Sequence, residues 1–131
     1  MSIASVSLLL ASLVVAMPAS SQAGPVTREY INGSFEIAVT SLNRMRVFAK
    51  ACGLSETAEP IAQRFMSIFS MQTGVSIGEV NKIVENAYAS APEATRPAQD
   101  CEMKYVRFWA EAFRQQSQEL DEVLTRYLQQ N

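Results

Sequence analysis

Few side chains of this chain are typical of enzymatic chemistry, and histidine is absent altogether. A chain without histidine has no Ser-His-Asp or Cys-His nucleophile, no histidine-ligated zinc or haem, and no Glu-x-x-His di-iron site. Glu56 and Glu59 lie close together, and a carboxylate pair can serve glycoside hydrolysis. Because acidic residues also favour helix N-termini, where this pair is predicted to lie, we expect no catalytic residues and no enzyme.

Metal and cofactor sites are not expected either. Glu119, Asp121 and Glu122 lack the spaced oxygen ligands and the glycine of a calcium loop, so we interpret them as a solvated helix face. Methionine can bind soft metals, but the spacing of Met45 and Met66 places both on apolar helix faces, where methionine commonly fills a core. We predict neither a metal site nor a cofactor.

The chain has two cysteines, Cys52 and Cys101. A redox or metal-binding pair would have Cys-x-x-Cys spacing or further ligands, and neither is present. In an oxidising compartment an even pair indicates a disulfide, and two cysteines allow only one intramolecular pairing. We therefore predict a structural disulfide between Cys52 and Cys101.

The N-terminal segment resembles an export signal. Residues 1–23 contain no Lys, Arg, Asp or Glu, and their apolar run is shorter than the roughly 20 residues that a membrane span needs. Ser21-Gln22-Ala23 matches the small-x-small pattern of a signal-peptidase site. We predict that residues 1–23 are a cleaved secretory signal and that residues 24–131 form a single periplasmic or secreted helical domain with no stable membrane span. The alternative is an uncleaved N-terminal anchor or an apolar helix of the domain.

The charge balance argues against nucleic-acid binding. Eleven basic and 13 acidic residues give a formal net charge of −2, so no basic excess is available to neutralise phosphates. Several basic residues are predicted to gather near the disulfide end of the fold, where they form either a weak binding patch or an ordinary solvated surface with acidic neighbours. These residues are Arg44, Arg46, Lys50, Lys104 and Arg107.

Apolar residues recur with helical period over nearly all of the mature chain, and no segment alternates like a strand. The first segment carries a continuous apolar stripe up to Cys52, and Gly53 follows where a helix commonly ends. Its start is ambiguous. Thr27 is one candidate N-cap, and Ser34 is the other because Asn32-Gly33 is a turn signal.

Three further helical segments follow. The second begins between residues 55 and 60 and ends at Thr73-Gly74. The third begins with a capping box of Ser76 and Glu79, in which each residue can bond the backbone of the other. The fourth extends from about residue 98 to residue 130, after the longest loop of the chain.

Short connections between consecutive helices favour antiparallel neighbours. The four segments therefore predict an all-α fold, a disulfide-stapled up-down four-helix bundle with a long C-terminal helix. In that topology Cys52 and Cys101 lie at the same end of the bundle, which agrees with the disulfide predicted independently from their number. Closing a loop of about 50 residues stabilises a chain by on the order of 4 kcal/mol.

The end of the fourth helix is the best candidate for partner binding. The second and third segments are too short to cover its whole length, so Leu124, Tyr127 and Leu128 are predicted to project as an apolar strip that binds another protein or a second copy. Alternatively, the helix bends at residues 115–119 and folds these side chains back into the core.

Together these observations predict an exported, non-enzymatic binding or accessory protein. Its general plan, a small exported helical domain with two cysteines about 50 residues apart, is similar to that of periplasmic acid-stress chaperones. The resemblance implies a chaperone-like or secretion-associated role in a bacterial envelope. Two alternatives remain: a secreted effector or host-interaction factor, and a helical carrier of a small apolar ligand.

Overall fold

A computed structural model describes residues 25–90 and 101–130. Within these ranges the chain forms four α-helices and no strand, as the sequence predicts. The predicted signal, its cleavage site and most of the longest loop lie outside the described residues. The helices are α1 (Arg28–Ala51), α2 (Ser55–Thr73), α3 (Ile77–Ser90) and α4 (Met103–Gln129).

The start of α1 is fixed by Thr27. Its hydroxyl oxygen accepts a hydrogen bond from the backbone N–H of Tyr30 at 3.1 Å, so one of the free donors at the helix end is satisfied. The helix then continues through Asn32-Gly33, and the alternative start at Ser34 is wrong. Tertiary packing of the flanking apolar side chains outweighs the local turn preference of these two residues.

Short connections join the first three helices. Residues 52–54 link α1 to α2, and Gly53 has a φ of 71°, which suits glycine because it has no Cβ to clash. Gly74, with a φ of 79°, ends α2 in the same way. The predicted cap of α3 is present, since the Ser76 hydroxyl accepts a hydrogen bond from the Glu79 backbone N–H at 3.2 Å.

α1 and α4 lie antiparallel along their full lengths. Near the start of α1, the side-chain amide of Gln130 donates to the carbonyl oxygen of Val26 at 2.8 Å. Near the middle, the Ser41 hydroxyl donates to the side-chain oxygen of Gln116 at 2.6 Å. At the other end, the disulfide joins Cys52 to Cys101 with a Cα–Cα distance of 4.6 Å. The predicted disulfide and the predicted pairing of the first and fourth helices are both confirmed.

α2 and α3 pack against other sides of α1, and the four helices alternate in direction. The ring of Phe35 on α1 stacks on Phe69 of α2 with centroids 4.2 Å apart. On another side of α1, the Asn43 side-chain amide donates to the carbonyl oxygen of Val84 on α3 at 3.2 Å. α1 is thus the central helix of the bundle. Among the helices around it, α2 packs against α3 but meets α4 at only a few points. No helix in the described part of the chain is long and apolar enough to cross a membrane.

Candidate functional site

An open groove between α2 and α4 is the strongest candidate for a binding site. Its floor is apolar and consists of Phe65 and Phe69 from α2 with Phe113 and Leu120 from α4. All four side chains are buried. The groove has a volume of about 610 Å³, within the range of roughly 300–1,000 Å³ that is usual for ligand sites. We call it the α2–α4 groove.

The groove exists because α4 packs mainly on α1 while α2 packs on both α1 and α3, so that α2 and α4 meet each other at few points. On α2, Ile61, Phe65 and Ile68 follow the spacing of one helix face, which turns partly toward α4. Phe113 and Leu120 are seven residues apart and so present the same face of α4. The two apolar stripes face each other without closing.

The rim of the α2–α4 groove is half apolar and half polar. On the α2 side, Ile61 is 39 % exposed and Ile68 is 40 % exposed, with the cation Arg64 beside them. On the α4 side lies Asp121, whose carboxylate accepts a hydrogen bond from the Gln72 side-chain amide at 2.6 Å. This bond ties the two helices together near the end of α2 and leaves the rest of the groove open.

A second concavity, which we call the α3–α4 cleft, lies between α1, the end of α2, α3 and the end of α4. It has a volume of about 400 Å³. Its lining is mostly apolar and includes the three residues that the sequence analysis proposed for partner binding. They are Leu124, Tyr127 and Leu128, and among the residues opposite them are Ile31, Phe35, Val80 and Ile83.

The three proposed binding residues do not project beyond the bundle. Leu124 is 2 % exposed and belongs to the core, and Tyr127 is half-buried, with its hydroxyl oxygen accepting a hydrogen bond from Arg28 Nε at 3.4 Å. Leu128 is 52 % exposed. The helix is continuous through residues 115–119 and does not bend back there. The end of α4 therefore neither projects as a tail nor folds back, but packs as part of one continuous helix. Partner binding at these residues stays a prediction, and Leu128 is the most accessible of the three.

The Arg46 cluster is a buried polar site that the sequence analysis missed. Arg46 is only 5 % exposed, and its guanidinium donates to both carboxylate oxygens of Glu59, at 3.0 and 2.8 Å. It also donates to Glu85 on α3 at 3.1 Å and to the side-chain oxygen of Asn43 at 3.1 Å. The ring of Tyr88 lies 4.2 Å from the guanidinium carbon. One cation therefore joins three helices.

Opposing effects set the protonation of this cluster. Burial by itself lowers the pKa of Arg46, but its hydrogen bonds to Glu59 and Glu85 outweigh this, and the net pKa lies above the ordinary value. Burial raises the pKa of Tyr88 above its ordinary value, although the neighbouring Arg46 charge acts in the opposite direction. Arg46 thus stays charged, and Glu59 is engaged as its ion-pair partner.

Burial revises one interpretation of the sequence and confirms another. Arg46 does not belong to a surface patch, whereas Lys50, Lys104 and Arg107 are exposed. Met45 is 3 % exposed and Met66 is fully buried, so the core role predicted for both is confirmed. Among the described residues, no group of three or more carboxylate or thiol side chains is placed to hold a metal ion.

Comparison with known proteins adds no relative from which a role can be transferred. No protein-family model matches the chain, and neither does any curated protein or solved structure. The functional argument therefore rests on the geometry of this chain.

Proposed function

We propose that this protein is an exported, non-enzymatic binding protein of a bacterial envelope, and that the α2–α4 groove binds an apolar helical segment of a partner protein. The observation that carries the proposal is the row of phenylalanines, Phe65, Phe69 and Phe113, which lies at the bottom of an open groove. The disulfide is consistent with a compartment outside the cytoplasm. The apolar segment 1–23 supports export.

The dimensions of the groove suit a short helix. It extends on α2 from Ile61 to Gln72, which corresponds to about 16 Å, or about three helical turns. An amphipathic helix docks in such a groove through apolar residues at positions i, i+3, i+4 and i+7. Docking would cover Ile61 and Ile68. Binding would be favoured because this apolar surface is removed from water.

The charges at the rim select the orientation and flanks of the partner. Asp121 and Glu122 lie on the α4 side, and Arg64 lies on the α2 side. A partner helix with lysine or arginine along the flank that meets α4 would be electrostatically complementary. The proposed ligand class is therefore an amphipathic helix with one basic flank.

The test uses a labelled synthetic helix with leucines on one face and lysines on one flank. We expect it to bind the purified protein in a fluorescence anisotropy titration, and we expect the double substitution Ile61→Ser and Ile68→Ser to weaken binding at least about tenfold. Ile77→Ser is the matched control, because Ile77 is an isoleucine on α3 that is 49 % exposed and lies outside the groove. Equal affinity of the double variant and the wild-type protein would contradict the proposal.

A second candidate function is carriage of a small apolar ligand. The volume of about 610 Å³ and the apolar floor favour it. Native mass spectrometry of protein purified from the exporting host distinguishes the two candidates. A bound small molecule that is displaced when the groove is blocked supports the carrier, and ligand-free protein that binds the synthetic helix supports peptide capture. A secreted effector role is separated from an envelope role by fractionating cells and medium.

A further inference from the structure

A second surface, distinct from the groove and the cleft, carries exposed aromatic side chains at the disulfide end of α4. Phe108 is 60 % exposed and Tyr105 is 39 % exposed. Large apolar side chains that lie open together on a small domain commonly mark an interaction surface. We call the surface formed by Tyr105, Phe108 and Trp109 the α4 aromatic face.

The rings of the α4 aromatic face are held in place by contacts with one another and with α1. Phe108 meets Trp109 edge-on with ring centroids 5.0 Å apart. Tyr105 packs against Phe48 of α1 with centroids 5.2 Å apart. Tyr105 and Phe108 remain exposed in these contacts, whereas Trp109 is half-buried and packs against the core. The α4 aromatic face therefore depends on the packing of α1 against α4.

Three cations surround the α4 aromatic face. The guanidinium carbon of Arg44 lies 4.7 Å from the Trp109 ring centroid, and the Lys104 ammonium lies 5.2 Å from the Tyr105 ring. Arg107 is exposed and follows Lys104 by three residues, so it lies on the same side of the helix. The chain as a whole has a net charge of −2, and these cations are thus a local concentration of positive charge.

The acidic residues near this surface are already engaged. Glu102 lies 3.8 Å from the Lys104 ammonium in a weak, exposed pair. Glu111 pairs with Arg114 at 2.5 Å, and the hydrogen bond from Arg114 holds the pKa of Glu111 below its ordinary value. With Arg114 included, four basic side chains lie near these two carboxylates, so the described residues of the surface carry a net positive charge beside the aromatic rings.

We propose that the α4 aromatic face docks on a membrane surface that contains anionic phospholipids. Cations that flank aromatic rings suit the membrane interface, where lysine and arginine reach the phosphates and the amphipathic rings lie at the headgroup level. The surface lies along the start of α4 beside α1, and none of its three rings lines the α2–α4 groove or the α3–α4 cleft. Because it lines neither of these two concavities, a lipid surface fits it better than an acidic protein segment.

Such docking would hold the protein at the membrane without any spanning helix. Association would be peripheral and sensitive to salt, since its charge contribution is screened by ions. This inference is independent of the occupant of the groove, because it depends on other residues.

The test uses the single tryptophan of the chain, which lies within the proposed surface. Protein purified from the exporting host is mixed with vesicles of phosphatidylglycerol and phosphatidylcholine or of phosphatidylcholine alone. We expect co-sedimentation with the anionic vesicles only, together with a blue shift of Trp109 emission as the ring enters the interface. Raising the salt concentration should reverse both signals.

Matched variants assign the binding to this surface. The double substitution Lys104→Glu and Arg107→Glu should lower the affinity for anionic vesicles at least about tenfold, and Phe108→Ser should lower the blue shift. Lys82→Glu on α3 and Met71→Ser on α2 are controls for exposed charge and exposed apolar side chains, and both should bind as wild type. Circular dichroism confirms that each variant is folded.

Three outcomes would overturn the proposal. The first is equal binding to both kinds of vesicle, and the second is undiminished binding by the double charge variant. The third is tighter binding to polyglutamate than to anionic vesicles with the same change in Trp109 emission, which would assign the surface to an acidic polypeptide.

Discussion

Arg46 illustrates how a charged side chain is accommodated inside a small helical core. A buried guanidinium is costly unless its donors are paired. Here Glu59 receives two of its hydrogen bonds in a bidentate arrangement, and Glu85 and Asn43 receive others. Because both carboxylates remain partly exposed, they keep contact with water while they neutralise the cation. The cluster therefore specifies how α1, α2 and α3 are oriented relative to one another.

We predict that Arg46→Met lowers the free energy of unfolding by about 1–3 kcal/mol, as for other broken buried polar networks. The methionine fills the volume of the lost side chain, but Glu59 and Glu85 are then left close together without a cation. Urea unfolding followed by circular dichroism measures the change. Arg114→Met is the control, since Arg114 and its partner Glu111 are exposed, and it should unfold as wild type. An unchanged midpoint for Arg46→Met would show that the cluster does not hold the helices together.

The burial of Arg46 could have been inferred from helical spacing. Val39, Asn43, Arg46 and Val47 share one face of α1, and valines flank the two polar residues. Its charge and its place in the chain instead favoured a position among the nearby surface cations. No local pattern predicts the pairing of Arg46 with Glu59 and Glu85, because these carboxylates approach Arg46 only when three helices pack together.

At the scale of the helices, the pairing of α1 with α4 explains why no tail projects. The sequence analysis placed the start of the fourth helix at about residue 98, whereas α4 begins at Met103 and has 27 residues. The shorter helix is matched by α1 and the residues before it, so that Val26 lies opposite Gln130. The error in one helix boundary was enough to leave Leu124 apparently uncovered.

The two leucines at the end of α4 provide a direct test of this packing. We predict that Leu124→Ala lowers the free energy of unfolding by about 2–5 kcal/mol, because it leaves a cavity in the core. Leu128→Ala, the same substitution one turn later at a side chain that is 52 % exposed, should change it by less than about 1 kcal/mol. Urea unfolding of both variants measures the difference. Similar losses for the two would mean that the end of α4 is not packed as described.

The α2–α4 groove marks the limit of what helical spacing can predict. Phe65 and Phe113 lie on apolar stripes that the sequence assigns to a core, and they do meet, with ring centroids 5.2 Å apart. Whether such a stripe is fully covered depends on how far apart two helices lie. That distance is set by the packing of α4 on α1 and of α2 on α1 and α3, which no local pattern encodes. The helices, their caps and the disulfide follow from local signals and cysteine number, so they could be predicted.

At the scale of the whole molecule, two candidate surfaces lie on one disulfide-linked framework. The α2–α4 groove involves the middle of α4, and the α4 aromatic face lies near its start. Cys101 precedes α4 by two residues, so the disulfide holds the start of this helix against α1. The disulfide is consistent with a compartment outside the cytoplasm, as the proposed export would give.

The proposed export leads to a prediction about the mature N-terminus. We expect protein from the exporting host to begin at Gly24, because the apolar run is followed by the small-residue site that ends at Ala23. Intact-mass measurement of that material gives the answer directly. The mass of the full 131-residue chain would contradict the processing and weaken the case for an oxidising compartment.

The last prediction for the whole molecule concerns the contribution of the disulfide to stability. We predict that replacing Cys52 and Cys101 together by alanine lowers the free energy of unfolding by about 2–4 kcal/mol, because the unfolded chain is no longer constrained by a closed loop. Helical content should remain, since the packing of α1 against α4 extends far beyond the cross-link. Thermal and urea unfolding of the variant and of reduced wild-type protein should agree, since both lack the same bond. Free thiols in unreduced exported protein would show that the ends of these helices are not covalently joined, and the α4 aromatic face would then depend on helix packing alone.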